Sequence, residues 1–239
     1  MPASLTSRHG EKDGFIQVGE GKRRTIRFSS WYDDELVTAE GEKYLSDIDD
    51  IAIKKLREWQ LVWSGWEGDQ RNGEQDTVWA NDIFGMRTIK SFDSGFLRLF
   101  VKSVVWRALA SSRQEFKHLP RDRVSLDKLK NNVINNDPGD IWDCPIIVHQ
   151  IVSKGDVHNH TPTFEEMTWP IGNGSEKIVL PSFRIYIQGM IVHLLVNFKV
   201  QHKKYLKGVV AGSAPILIVG VNKFENSRQK EFLDQAKSW

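Results

Sequence analysis

The chain has 239 residues, 40% of them hydrophobic and 27% charged, a balance that sustains a real core and excludes wholesale disorder. Its 33 basic and 31 acidic residues leave a net charge of +2, so charge alone implies no polyanionic partner. The single cysteine, Cys144, excludes an internal disulfide and a cysteine-rich zinc site, and reads as a small buried hydrophobe of an intracellular protein.

Residues 1–14 are polar, mix charges and lack periodicity, so they are expected to be a flexible leader. They carry no apolar core of a signal peptide. The longest apolar run, near Ile185 to Val196, is broken by Gln188, Gly189 and His193, too polar to span a bilayer. These features point to a cytoplasmic protein with no membrane contact. Residues 15–239 then form one domain, with a sub-boundary near 136–143 between a helical half and a strand-rich half. FIQVGEGKRRTIRF alternates about Gly19-Glu20-Gly21, which predicts a hairpin from Phe15 to Phe28. Ser46 is expected to open a helix with Asp47, Asp49 and Asp50 in its first turn and Lys54, Lys55 and Arg57 towards its end, as the macrodipole favours. Leu45, Ile48, Ala52, Leu56 and Trp59 form its apolar face. Residues 64–77 read as a loop.

The strongest periodic signal runs from Phe92 to Leu119. Apolar residues at Phe96, Leu97, Phe100, Val101, Val104, Val105, Ala108 and Leu109 predict a long amphipathic helix. Asp93 and Ser94 can cap it, Pro120 stops it, and Arg98, Lys102 and Arg113 fall off the stripe towards water. Ser125 to Asn135 reads as a shorter helix, and NNDPGD at 135–140 as a turn. Beyond Cys144, β-branched runs predict strands near 145–152, 182–188, 190–198 and 215–221, mainly antiparallel, with a bend at Gly189. Asn226 to Lys237 reads as a short closing helix. The order implies an α+β fold: an N-terminal hairpin and helices, with the long central helix packed on a C-terminal sheet.

Candidate chemistry is sparse. His158 and His160, two apart in an extended segment near Asp156, Glu165 and Glu166, could hold a metal, although an exposed polar loop is the simpler reading. Lys22 to Arg27, followed by Phe28, Trp31 and Tyr32, mixes cations with rings as nucleic-acid surfaces do. Arg23, Arg24 and Arg27, joined by Lys203, Lys204 and Lys207 beyond the third late strand, are the candidate phosphate contacts. Among nine tryptophans, Trp59 and Trp106 fall on helical stripes, whereas Trp63 and Trp66 flank Ser64-Gly65 at a loop and are the candidate partner contacts. There is no Walker A loop, GxGxxG, GxSxG or HExxH, so nothing makes an enzyme by motif and no cofactor is implied.

Two stretches carry a family resemblance. Glu35 to Tyr44, and Phe96-Leu97-Arg98-Leu99-Phe100 through Ser103, Trp106 and Arg107, resemble the region after the nuclease module in a loose group of bacterial proteins related to HNH endonucleases. The likeness covers roughly residues 31–119. The family pattern has knuckle cysteines where this chain has Thr38 and Gly41, and only fourteen polar residues precede the first hairpin where the nuclease module would lie. The resemblance therefore implies a degenerate relative without metal or catalytic unit. The leading expectation is a non-enzymatic protein that binds a protein partner or its own copy. A nucleic-acid-binding factor is the alternative, followed by a divergent metal-dependent hydrolase.

Overall fold

A computed structural model of the protein describes residues 15–17, 25–27, 36–66, 77–156, 159–171, 174 and 176–238. Two short strands, β1 (Phe15–Gln17) and β2 (Thr25–Arg27), pair antiparallel with Ile16 opposite Ile26. The main sheet contains β3 (Thr77–Trp79), β4 (Phe84–Lys90), β5 (Ile146–Ile151), β6 (Asn159–Ile171), β7 (Glu176–Ile187), β8 (Met190–Leu195) and β9 (Ile216–Asn222). Its seven strands lie in the order β3-β4-β9-β5-β8-β7-β6, every neighbouring pair antiparallel except β9 with β5. The helices are α1 (Ala39–Glu58), α2 (Gly95–Ala110), α3 (Leu126–Ile134), α4 (Lys203–Leu206) and α5 (Arg228–Ser238). This is an α+β arrangement with a mixed, mostly antiparallel sheet.

Sheet register sorts the side chains into two faces. On one face Ile89, Leu217, Val219, Val148, Val192, Leu194, Phe183 and Ile185 are buried in a core shared with α1, α2 and α3. Each fully buried aliphatic side chain there contributes about 1.5–3 kcal/mol of transfer free energy. The helix α2 is the centre of that core. It is buried almost all round rather than along one stripe, as a helix enclosed by neighbours must be.

That enclosure corrects the expectation that Arg98 and Lys102 face water. Both are buried, and both donate to the carbonyls of the 137–140 turn: Arg98 Nη2 to Pro138 O at 3.0 Å and to Gly139 O, Lys102 Nζ to Pro138 O at 2.8 Å. Lys102 Nζ also reaches Asn132 Oδ1 at 3.2 Å. Burial pulls both cations below their usual pKa. Here a turn that reads as a simple breaker supplies acceptors for two buried cations. The helix is also shorter than expected. It ends at Ala110, and Arg121 Nη2 donates to the Ser111 carbonyl at 2.8 Å, which satisfies a terminal acceptor.

The helix α1 starts at Ala39, seven residues before the expected Ser46, because Thr38 Oγ1 accepts from Gly41 N at 3.3 Å. Thr38 and Gly41, the two positions set against knuckle cysteines, thus form a helix N-terminus. α1 and α2 are clamped by a bidentate pair, Arg107 to Asp49, at 2.7 and 2.8 Å. Arg87 from β4 caps the far end of α1, donating to Trp59 O at 3.1 Å and to Gln150 Oε1 at 3.0 Å.

Candidate functional site

The second face of the sheet carries a polar cluster and an exposed apolar one. In its middle, β5, β6, β7 and β8 contribute a polar seam of His149, Glu165, Ser182, Arg184 and His193, adjacent by register: Arg184 opposes His193 and Glu165 opposes Ser182. The helix α5 closes over it. Arg184 Nη2 donates to Gln229 Oε1 at 2.9 Å, and Arg228 Nη1 reaches Glu165 Oε2 at 2.7 Å. The Phe232 ring lies 5.8 Å from the Arg184 guanidinium and 4.9 Å from that of Arg228. Glu165 Oε1 also lies 3.6 Å from Arg184 Nε, so one carboxylate is shared between two guanidinium groups.

The seam contains the residue types of a nucleophilic relay without its geometry. A relay needs the hydroxyl on one imidazole nitrogen and the carboxylate on the other. Here Ser182 Oγ lies 3.1 Å from His193 Nδ1, and Glu165 Oε1 lies 3.8 Å from that same atom. Ser182 is fully buried besides, beyond the reach of a substrate. Burial, followed by the neighbouring His149 and the Arg184 and Arg228 charges, holds His193 well below the ordinary imidazole pKa. Burial and then Arg184 bring His149 down to about 4. Both rings are neutral at pH 7, edge to face at 5.4 Å. Glu165, Ser182, Arg184 and His193 form a largely buried polar network that seats α5, with the half-buried His149 ring against its edge.

His149 lies across β9 at Gly220, where a Cβ would come within 2.5 Å of its ring. Beyond Gly220 the same face changes character. Val78 of β3 opposes Met86 of β4, and Phe84 stands two residues along on the same side. These side chains are 73%, 52% and 58% exposed, with Ile83 in the adjoining turn at 41%. The inward positions of β4 are Gly85, Arg87 and Ile89. The strand therefore buries its arginine and shows its phenylalanine and methionine to solvent. β3 is also a terminal strand of the sheet among the described residues.

The expected sites fare differently. Trp63 and Trp66 are not an exposed contact surface: they are 3% and 7% exposed and pack with Ile151, Tyr186 and Phe224. Each indole N–H is satisfied, Trp63 Nε1 by Ile151 O at 3.0 Å and Trp66 Nε1 by Gln60 O at 2.9 Å. Trp63 fits because Gly189, at φ +86°, leaves its indole room. Lys203 and Lys204 lie in α4, their ammonium groups over the Trp142 ring at 5.2 Å and the Tyr205 ring at 4.7 Å, and Lys207 follows, exposed. Arg23 and Arg24 fall outside the described residues, and Arg27 is described only by its backbone place in β2. His158 also falls outside them. His160, in β6, lies 5.4 Å from the Phe232 ring. Among the described residues no three His, Cys, Asp or Glu side chains come together to hold a metal. Cys144 is buried, and burial pushes its thiol up to about 11, away from reactivity. No helix among the described residues is long and apolar enough to cross a membrane.

No family model matches the chain, and none of the curated proteins or solved structures matches it either. These comparisons add nothing to the resemblance drawn on residues 31–119.

Proposed function

We propose that this protein is a non-catalytic interaction module whose contact surface is the outer face of β3 and β4. One observation carries the reading: Val78, Phe84 and Met86 are exposed on one side of a terminal pair of strands, with exposed Ile83 in the adjoining turn. Scattered surface hydrophobes need no explanation, but a grouped set at a sheet margin marks a place where another molecule docks. The chemistry of the seam supports the same conclusion from the other side, since its hydroxyl and imidazole are buried in a network without relay geometry.

The test compares the wild-type chain with a Phe84→Asp/Met86→Asp variant, each immobilised and exposed to extract from cells that express the protein. Wild type is expected to retain a partner, a second copy included, that the variant loses while keeping its circular dichroism spectrum. Equal retention by both chains would overturn the reading.

A further inference from the structure

A net charge of +2 hides an uneven distribution. The stretch 177–224 carries seven Lys or Arg and no Asp or Glu, whereas 31 acids spread evenly over 239 residues would place about six there. Three of those cations, Lys203, Lys204 and Lys207, sit on α4 and the residue that ends it. At 3.6 residues per turn they fall within about 100° of one another around the helix axis. Leu206 holds the segment to the sheet, buried with Ile147, Leu180 and Leu195.

Two of the three are placed in advance. Lys203 Nζ lies over the Trp142 ring at 5.2 Å, which is itself stacked on Phe198 at 5.7 Å, and Lys204 Nζ lies over the Tyr205 ring at 4.7 Å. A ring face attracts an ammonium but does not neutralise it as a carboxylate would. Among the described residues none of the three lysines forms an ion pair or a side-chain hydrogen bond. The acids beside Trp142 are engaged elsewhere: Asp143 with Lys128 at 2.7 Å, and Asp140 Oδ1 with the Trp142 backbone N–H at 2.7 Å. Ammonium groups held in position and left uncompensated suit a polyanion, because less side-chain entropy is lost when it binds.

We infer that α4 presents a binding surface for the phosphate backbone of a nucleic acid, contacted by Lys203, Lys204 and Lys207. Trp142 already holds Phe198 and Lys203, so the contact is to phosphates and not to stacked bases, and it is independent of sequence. An anionic bilayer would also meet the lysines, but it needs apolar side chains that reach below the headgroups. Here the Trp142 and Phe198 rings are half-buried against each other, and Val200 is the one strongly exposed apolar side chain of the segment. The inference stands without the β3–β4 reading, since neither Phe84 nor Met86 enters it.

The experiment follows the fluorescence anisotropy of a labelled oligonucleotide of about 20 nucleotides, in two unrelated sequences, as a duplex, while salt rises from about 50 to 200 mM. Wild type should bind both sequences alike. Lys203→Ala/Lys204→Ala/Lys207→Ala should flatten the slope of log affinity against log salt by about 2.7, and weaken binding at the low-salt end at least about tenfold. The corresponding triple Arg variant should keep the wild-type slope, which separates lost charge from lost structure. Lys54→Ala/Lys117→Ala/Lys130→Ala removes the same charge from exposed positions elsewhere and should leave the slope within about 0.5 of wild type. A wild type that binds neither sequence at the lowest salt would overturn the inference, as would equal flattening by the two Ala variants. Sedimentation of the chain with phosphatidylserine vesicles, with no oligonucleotide bound, would overturn it in favour of a membrane surface.

Discussion

One face of the sheet is finished in opposite ways at its two ends. Across β5 to β8 a polar and charged seam lies under α5, flanked by apolar side chains that are buried as well; at β3 and β4 Val78, Phe84 and Met86 are apolar and bare. Gly220 and the His149 ring mark the boundary. Buried polar groups persist only when each finds a partner, so the covered end must be held by specific bonds, and removing any one of them is costly. Bare apolar groups cost the folded chain little and gain it nothing, so their grouping at one margin points outside the chain. The two ends should therefore answer mutation in opposite ways, stability at one and association at the other.

The largest effect should come from Arg184→Ala. It removes a buried guanidinium that shares the Glu165 carboxylate with Arg228 and donates to Gln229 at the covered end, and should lower stability by about 3–5 kcal/mol in urea unfolding. Proteolysis should then cut within α5. A loss below about 1 kcal/mol would mean that α5 is held by something else. Next comes Gly189→Ala, whose Cβ would lie 2.1 Å from Trp63 Nε1 at a positive φ. Displacing that indole should cost about 2–3 kcal/mol and shift tryptophan fluorescence. An unshifted spectrum would contradict the packing.

A smaller effect is set by pH. His149 and His193 both bind protons less readily in the folded chain than in the unfolded one. The unfolded state therefore takes up more protons below pH 6.5, and stability must fall as pH drops from there towards about 4. The slope should approach about 1.4 kcal/mol per pH unit for each histidine and vanish above pH 7. His193→Asn should flatten it, and an unchanged slope would remove the seam from the account. The smallest effect on stability belongs to Phe84→Asp, within about 0.5 kcal/mol of wild type, although it is expected to abolish association.

How much of this could be read from the sequence follows from the same contrast. The four late strands, the helix at 125–135 and the central helix are legible because their apolar residues are the buried ones. β4 is illegible for the opposite reason. Its alternation is regular, but it buries Gly85 and Arg87 and exposes Phe84 and Met86, so a hydrophobic pattern reads it inside out. β6 is hidden by Pro162 and Pro170, which a terminal strand tolerates. Trp63 and Trp66 suggest a surface because they sit beside Ser64-Gly65, yet the residues that bury Trp63, Ile151, Tyr186 and Phe224, and the Gly189 that leaves it room, are far away in sequence. The seam is invisible in one dimension, its members being spread from His149 to Gln229 and joined only by register. Arg98 and Lys102 teach the complementary point, since backbone carbonyls that satisfy a buried cation leave no mark in the sequence.

The most direct measurement is a methionine-oxidation footprint of Met86, read by mass spectrometry with the protein free and then in complex with the partner that the wild-type chain retains. Met86 is half-exposed, and Met190, fully buried under the helices, is an internal reference. The account requires Met86 to oxidise readily in the free protein and to be protected several-fold in the complex, while Met190 stays unreactive throughout. Equal oxidation of Met86 in the two states would mean that the bare end of the sheet is not where this protein meets its partner.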